Sequence, residues 1–300
     1  MSASEMVGSW TEKDAARVLR EPTAADDKYS RGVLGVRTGS ERYPGAAVLG
    51  VEAAARTGVG MIRYLGPSAP TSLVLQRRPE AVTAAGRVQA WIIGSGTDAE
   101  SRSDAEASAL RAILDGDEPV VVDAGALDLA VEARAPRILT PHAREFAALC
   151  RRIGIAVDSL PRDVAVARAA DRLGATVLLK GARTLVAASD GTVFAIEAGT
   201  PWLATAGTGD VLAGVLGALV AGAAAGGPLG AADLAQLAAT GAWIHGSAGR
   251  VAAGCATAAD IAASNGATGD TAVGHPLVAL DVAEALPAVV SALLDLRRVL

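Results

Sequence analysis

The chain has 300 residues, 51% of them hydrophobic but only 3% aromatic, and a formal net charge of −5. So much apolar material excludes a disordered chain, and an Ala-rich composition poor in rings disfavours an all-β fold. No run of Lys or Arg exceeds two residues, which excludes the basic groove that a nucleic acid needs.

Residues 1–27 read as an N-terminal extension with a first helix, lacking the basic start and apolar centre of a signal peptide. Residues 28–300 read as a single domain. GVLGVR at 32–37 is a strand, 44–58 an Ala-rich helix, MIRYLG at 61–66 a strand, and AWIIGSG at 90–96 an apolar run stopped by glycines. A helix follows at 103–116, a buried strand at 119–124 (PVVVDA), then RILTPH and a helix from REFAALCRRIG. Residues 162–174 form a helix closed by Gly174, and 176–181 (TVLLKG) a strand. TLVAAS and TVFAIE, joined through Asp190-Gly191, give the clearest hairpin signal. GTGD then leads into a long helix of small residues, and a second helix covers 231–253. Residues 254–275 are polar, Gly-rich and aperiodic, and read as a mobile surface insertion. The alternation predicts an α/β fold with a mainly parallel central sheet and helices on both faces.

The stretch 211–232 carries no charge over 22 residues, long enough to span a membrane. Six of those residues are Gly and one is Pro228, and most of the rest is Ala, so the run reads as a buried helix and no membrane partner is expected. Cys150 and Cys255, far apart and without a CxxC pattern, fit a reduced cytoplasmic interior better than a disulfide framework.

Four segments carry chemistry. In TAGTGDVLAG (205–214) a Gly-rich turn runs straight into a helix, offering backbone N–H groups and a positive dipole end to an anion. Asp210 at that mouth would repel phosphate but suits taking a proton from a hydroxyl held near a phosphoryl group; the plain alternative is a helix cap. LTPHAREF (139–146) places His142 at the end of a strand, KGART (180–184) places a Lys and an Arg at another, and IIGSG (92–96) is a further glycine loop. Each signal is weak alone, yet all fall at the carboxyl ends of predicted strands, where open α/β sheets bind ligands.

The ordered set YPGAA (43–47), IIGSG, VVVDAGAL (120–127), LTPHAREF, LLKGART and ATAGTGDVLAG (204–214) resembles the ADP/ATP-dependent NAD(P)H-hydrate dehydratases, enzymes of ribokinase-like fold, from about Lys28 to 287. The resemblance implies that a nucleotide phosphorylates the ring hydroxyl of hydrated NADH or NADPH and that loss of phosphate restores the reduced dinucleotide. It implies Asp210 as the base, and ADP or ATP contacts from Lys180, Gly181, Ala182, Arg183 and Thr184 together with Gly207, Thr208 and Gly209. Contacts to the hydrate fall on Ala46, Gly94, Gly96, His142 and Asp210. Mg²⁺ is implied as a co-substrate ion without a dedicated protein cage, and a homotetramer as the assembly. Many bacterial relatives carry a fused epimerase domain for which 300 residues leave no room. A separate epimerase is then expected, or this chain is half of a longer product.

This sequence departs from the family pattern in three places. GSGTD replaces GPGLG, adding Asp98; Gly125 stands where Asp is common; and Arg144 stands where Gly is common, at a cost of about 1 kcal/mol if φ is positive there. Two rival functions share the motifs: a small-alcohol kinase of the hydroxymethylpyrimidine or thiazole type, and a non-catalytic nucleotide-binding protein. Asp123 reads evenly as a backbone-binding strand end or a site residue, His245 as packing or a helix contact, His275 as surface, and Trp91 and Trp202 as walls of the fold, with a ring contact to the nucleotide as the alternative for Trp202.

Overall fold

The computed structural model describes residues 7–263 and 273–300. Nine strands form one sheet: β1 (Val7–Ser9), β2 (Val33–Arg37), β3 (Met61–Tyr64), β4 (Ala90–Ile93), β5 (Val120–Val122), β6 (Arg137–Leu139), β7 (Thr176–Leu179), β8 (Thr184–Ala187) and β9 (Val193–Ile196). Their order is β1-β9-β8-β7-β6-β5-β4-β2-β3. Every neighbouring pair is parallel except β7 with β8 and β8 with β9, the expected hairpin lying inside the sheet.

Alternation along the strands sorts side chains onto two faces. Ile92, Val121, Ile138, Leu178 and Val186 enter one core with helices α1 (Glu12–Val18), α2 (Gly45–Thr57), α7 (Thr208–Ala224), α8 (Ala231–Ala252) and α10 (Ala279–Arg297). Their neighbours Ile93, Val120, Val122, Leu139, Val177 and Leu179 enter a second core with α4 (Asp104–Leu114), α5 (Ala143–Arg152) and α6 (Arg162–Leu173). Strands covered on both faces read as continuous apolar runs, which is why PVVVDA and TVLLKG stand out in the sequence.

Small residues let α2 and α7 approach closely: a Cβ at Gly214 would run into the Gly50 carbonyl and crowd the Ala53 side chain at 2.7 Å. The uncharged run 211–232 is not one helix. α7 ends at Ala224, and Gly227 (φ 144°) and Pro228 separate it from α8. Among the described residues no helix is long and apolar enough to cross a membrane.

Three regular elements give no clear signal in the sequence: β1, α3 (Ser68–Arg77) and α10, which holds Pro287 in its interior. The segment set apart as an extension joins the sheet from residue 7, because β1 pairs along the open edge of β9. Thr11 then caps α1, accepting the Asp14 N–H while the Asp14 carboxylate accepts the Thr11 N–H at 2.9 Å. Within the stretch read as an insertion, α9 (Ala258–Ala263) is helical and the His275 N–H donates to Ala253. Residues 264–272 of that stretch lie outside the described residues.

Candidate active site at the carboxyl edge of the sheet

The parallel strands β2, β4, β5, β6 and β7 all end on one edge, so the loops after them converge there. β8 runs the opposite way, which returns the 180–184 turn to the same edge. Asp123, just past β5, is buried at the centre. Its Oδ1 accepts from Thr140 Oγ1 at 2.7 Å and from Lys180 Nζ at 2.9 Å, and its Oδ2 from Ser95 Oγ at 3.0 Å. The next residue, Ala124, has φ 44°, the one positive φ of a non-glycine residue among those described. Such a conformation costs on the order of 1 kcal/mol and holds the turn that aims Asp123.

Lys180 links this cluster to α7. Its Nζ lies 3.5 Å from where a Cβ would stand on Gly209. Burial works against the ammonium, but the Asp123 carboxylate, with Glu145 and Asp210 beyond it, outweighs that and raises its pKa. Asp210, in the first turn of α7, is partly buried. Burial pushes its pKa up to about 7, the Asp123 charge adds to the rise, and Lys180 opposes it. A carboxylate poised near neutrality can take a proton and later return it.

On the other side of Asp210 lies α2: a Cβ at Gly50 would be 3.6 Å from the Asp210 carbonyl oxygen. One turn earlier on α2, Ala46 lies against Gly96, where any side chain would overlap it. Gly94 is packed equally closely on the Asp123 carbonyl. Pairwise contacts therefore link Ala46, Gly94, Gly96, Asp123, Lys180, Gly209 and Asp210 into one neighbourhood, with Ala46, Gly94 and Asp123 buried in it. His142 adjoins it, since the Pro141 carbonyl accepts the Lys180 N–H. Its Nδ1 caps α5 by accepting the Arg144 and Glu145 N–H groups at 3.1 and 3.2 Å, while Nε2, on the exposed side of the ring, lies 3.6 Å from the Glu145 carboxylate.

Beyond Lys180 a cavity of about 400 Å³ opens, lined by Gly181, Ala182, Thr184, Thr208 and Gly209 among others. Arg183 is not part of that wall; it pairs with Glu197 at 3.1 Å. Gly207 stands at the cap of α7, behind the wall. Arg162 reaches the turn from outside, donating to the Lys180 carbonyl at 3.0 Å. The residues that sequence reasoning passed over are Ser95, Thr140 and Arg162, short polar or surface side chains whose partners lie far along the chain. Trp202 donates its Nε1–H to the Val273 carbonyl and Trp91 packs over Gly35, both as walls of the fold. His275 is exposed.

The departures from pattern fit locally. Arg144 occupies the first turn of α5 and does not have positive φ, so the expected strain is absent. Asp98 faces Arg42 at 3.8 Å, which offsets its added charge. Gly125 lies so close to the Thr97 backbone that a side chain would not fit.

This architecture is the ribokinase-like fold. A ribokinase-like superfamily protein from Enterococcus faecalis V583 matches it with a TM-score of 0.75 at 20% identity, over 96% of this chain and 97% of that one. Within that fold, the chain belongs to the NAD(P)H-hydrate dehydratase family, whose sequence profile matches residues 34–268. The ADP-dependent (S)-NAD(P)H-hydrate dehydratase of Xanthomonas campestris is 35% identical over 258 residues, 79% of this chain and 86% of its own length. The bifunctional NAD(P)H-hydrate repair enzyme Nnr of Mycobacterium tuberculosis is 43% identical over 213 residues, 67% of this chain but 43% of that enzyme, so the chain spans less than half of that relative. A crystal structure of ADP/ATP-dependent NAD(P)H-hydrate dehydratase from Bacillus subtilis, co-crystallized with ATP and Mg²⁺, matches with a TM-score of 0.74 at 27% identity, over 96% and 99% of the two chains.

Proposed function

We propose that this protein restores NADH or NADPH from the hydrated dinucleotide at the expense of ADP or ATP. The observation that carries the reading is the position of Asp210. Its carboxyl, with a pKa near 7, lies in the first turn of α7 within electrostatic reach of Asp123 and Lys180, and its backbone carbonyl faces Gly50 of α2. The cavity takes the nucleotide, with Lys180, Gly181, Ala182, Thr184, Thr208 and Gly209 along it, and the N–H groups of the first turn of α7 hold the phosphates. Arg183 and Gly207 contribute from behind the wall, by steadying the turn and the helix cap.

The hydrate lies across Ala46, Gly94 and Gly96, with His142 Nε2–H as a donor to one of its oxygens. Asp210 accepts the proton of the ring hydroxyl as its oxygen attacks the terminal phosphorus, and the shortened nucleotide departs. The C–O bond to phosphate then breaks, the neighbouring ring carbon loses a proton, and the double bond returns. Positioning and charge neutralisation suffice for such a transfer.

Among the described residues no group of three or more His, Cys, Asp or Glu could hold a metal ion. Asp123 already accepts from Lys180, Thr140 and Ser95. Mg²⁺ would accordingly be held by the phosphates with Asp210 or Asp123 nearby, where it supplies charge neutralisation. Because the Mycobacterium tuberculosis relative is bifunctional, we infer that an epimerase supplies the usable epimer of the hydrate.

The test mixes protein, Mg²⁺, hydrated NADH and either ADP or ATP and follows the near-ultraviolet absorbance of the reduced nicotinamide. Recovery with one of the nucleotides is expected. No recovery with either defeats the reading, and a stable phosphate ester of a small alcohol would point instead to a kinase.

A further inference from the structure

The wall of the cavity beyond Lys180 also includes His245, from the middle of α8. The other polar side chains there are engaged. Thr184 Oγ1 donates to the Gly181 carbonyl at 3.0 Å, and Thr208 Oγ1 to the Leu203 and Thr205 carbonyls at 2.9 and 3.0 Å. Thr200 Oγ1 accepts the Trp202 N–H, and Lys180 is held by Asp123. His245 Nε2 is different: it is enclosed, and no protein group hydrogen-bonds to it. A buried polar atom left unmatched is costly, and native folds retain few of them without a use.

The chemistry of the ring narrows that use. Burial pushes the imidazole pKa down to about 4, with Lys180 adding to the fall and the Thr208 carbonyl opposing it, so the ring is neutral. With its one N–H facing the Thr208 carbonyl, the other nitrogen presents a lone pair. Ala242 and Gly246, two small residues of the same helix, line the cavity together with His245. A nucleotide whose phosphates lie at Lys180 and Gly209 offers two kinds of donor further along, the base amine and the sugar hydroxyls.

We propose that His245 Nε2 accepts a hydrogen bond from the nucleoside of the bound nucleotide, either from the adenine amine or from a ribose hydroxyl. The proposal rests on the nucleotide reading of the cavity given above. His245 is then a binding residue, reading the nucleoside while Lys180 and α7 hold the phosphates.

The test is calorimetric titration of the ligand-free protein with ADP, with the ADP analogue lacking the 6-amine and with 2′- and 3′-deoxy-ADP, for the wild type and His245→Phe, with the ligand-free Tm of each. His245→Phe is expected to bind ADP about tenfold more weakly, while its ligand-free Tm is unchanged or higher because an unmatched nitrogen has been removed. One analogue should lose a similar factor against the wild type and lose no more against His245→Phe, which identifies the donor. A folded His245→Phe that binds ADP as tightly as the wild type overturns the proposal. So does a wild type indifferent to all the analogues, a result that needs no variant to fold. Where ATP alone binds, the same comparison is made with the ATP analogues; a wild type that binds neither ADP nor ATP overturns the nucleotide reading of the cavity, and this proposal with it.

Discussion

At Asp210 a carboxyl sits at a helix terminus, which favours negative charge, and is also partly buried beside another carboxylate, which disfavours it. Burial and the Asp123 charge win, and the group titrates near 7. If it is the base, kcat/KM rises with pH through about 7 and levels off above, and Asp210→Asn abolishes turnover while leaving ADP affinity within a few-fold. Linkage gives a second sign. The folded chain holds this proton more tightly than the unfolded one, so the stabilisation is present below the ordinary carboxylate range and lost as pH rises through about 7. Asp210→Asn should therefore melt higher than the wild type at pH values above 7, a gain that shrinks towards acid pH. A variant that melts lower at every pH would contradict the burial argument. The sequence makes Asp210, Lys180 and His142 visible because they sit in short motifs at strand ends. It leaves Asp123 undecided, because the partners that give that residue a role, Ser95, Thr140 and Lys180, belong to three other loops. It reads His245 as packing or a helix contact, because a histidine in an Ala-rich helix shows its apolar neighbours in the sequence, not the cavity beside it.

Among the elements, α2 serves two ends. Its first turn carries Ala46 to the site, while its middle is locked to α3 by Glu52, a fully buried carboxylate. Glu52 accepts from Arg56 at 2.6 Å, from Arg77 at 3.1 and 3.2 Å, and from Arg78 at 2.6 and 2.8 Å. Burial alone would raise its pKa, yet the three guanidinium groups overcome that and bring it down to about 2. Glu52→Gln is expected to destabilise by about 2–3 kcal/mol, read as a lower denaturation midpoint, because three arginines lose the countercharge and one of its two oxygens, and an amide NH2 faces them instead. The same variant should move the Ala46 end of α2 and raise KM for the hydrate more than for the nucleotide. Amphipathic and capped helices such as α4 and α6 were legible in the sequence. Helix α3 was not, since its SAPTSLVLQR stretch shows little apolar periodicity and buries only Pro70 and Val74, and Pro287 interrupts the pattern of α10.

In the whole molecule, the sheet would end in an open β9 edge if β1 did not cover it. Helix α1 follows immediately and packs on α8 and α10 with Ala15, Ala16 and Leu19 buried. Removing residues 1–19 should therefore lower Tm by several degrees and favour association through the uncovered edge, seen as a shift in sedimentation. A truncated chain that melts like the intact one would show that β1 and α1 are accessory. The overall class, a parallel sheet between two helical layers, follows from the strand–helix alternation. The edge strand does not, because β1 is three residues long and carries no pattern of its own.

The loops that meet at Asp123 come from strands β2, β4, β5, β6 and β7, scattered between Ala46 and Asp210 in the chain. None of them makes a site by itself, and most of their mutual contacts join residues remote in sequence, the kind that form late in folding. A chain with only one half of its sheet in register has no Lys180–Asp123 pair and neither Gly209 nor Asp210 beside it. If the site binds a nucleotide as proposed, that affinity is a property of the finished topology, and a nascent or misfolded copy would not sequester ADP or ATP.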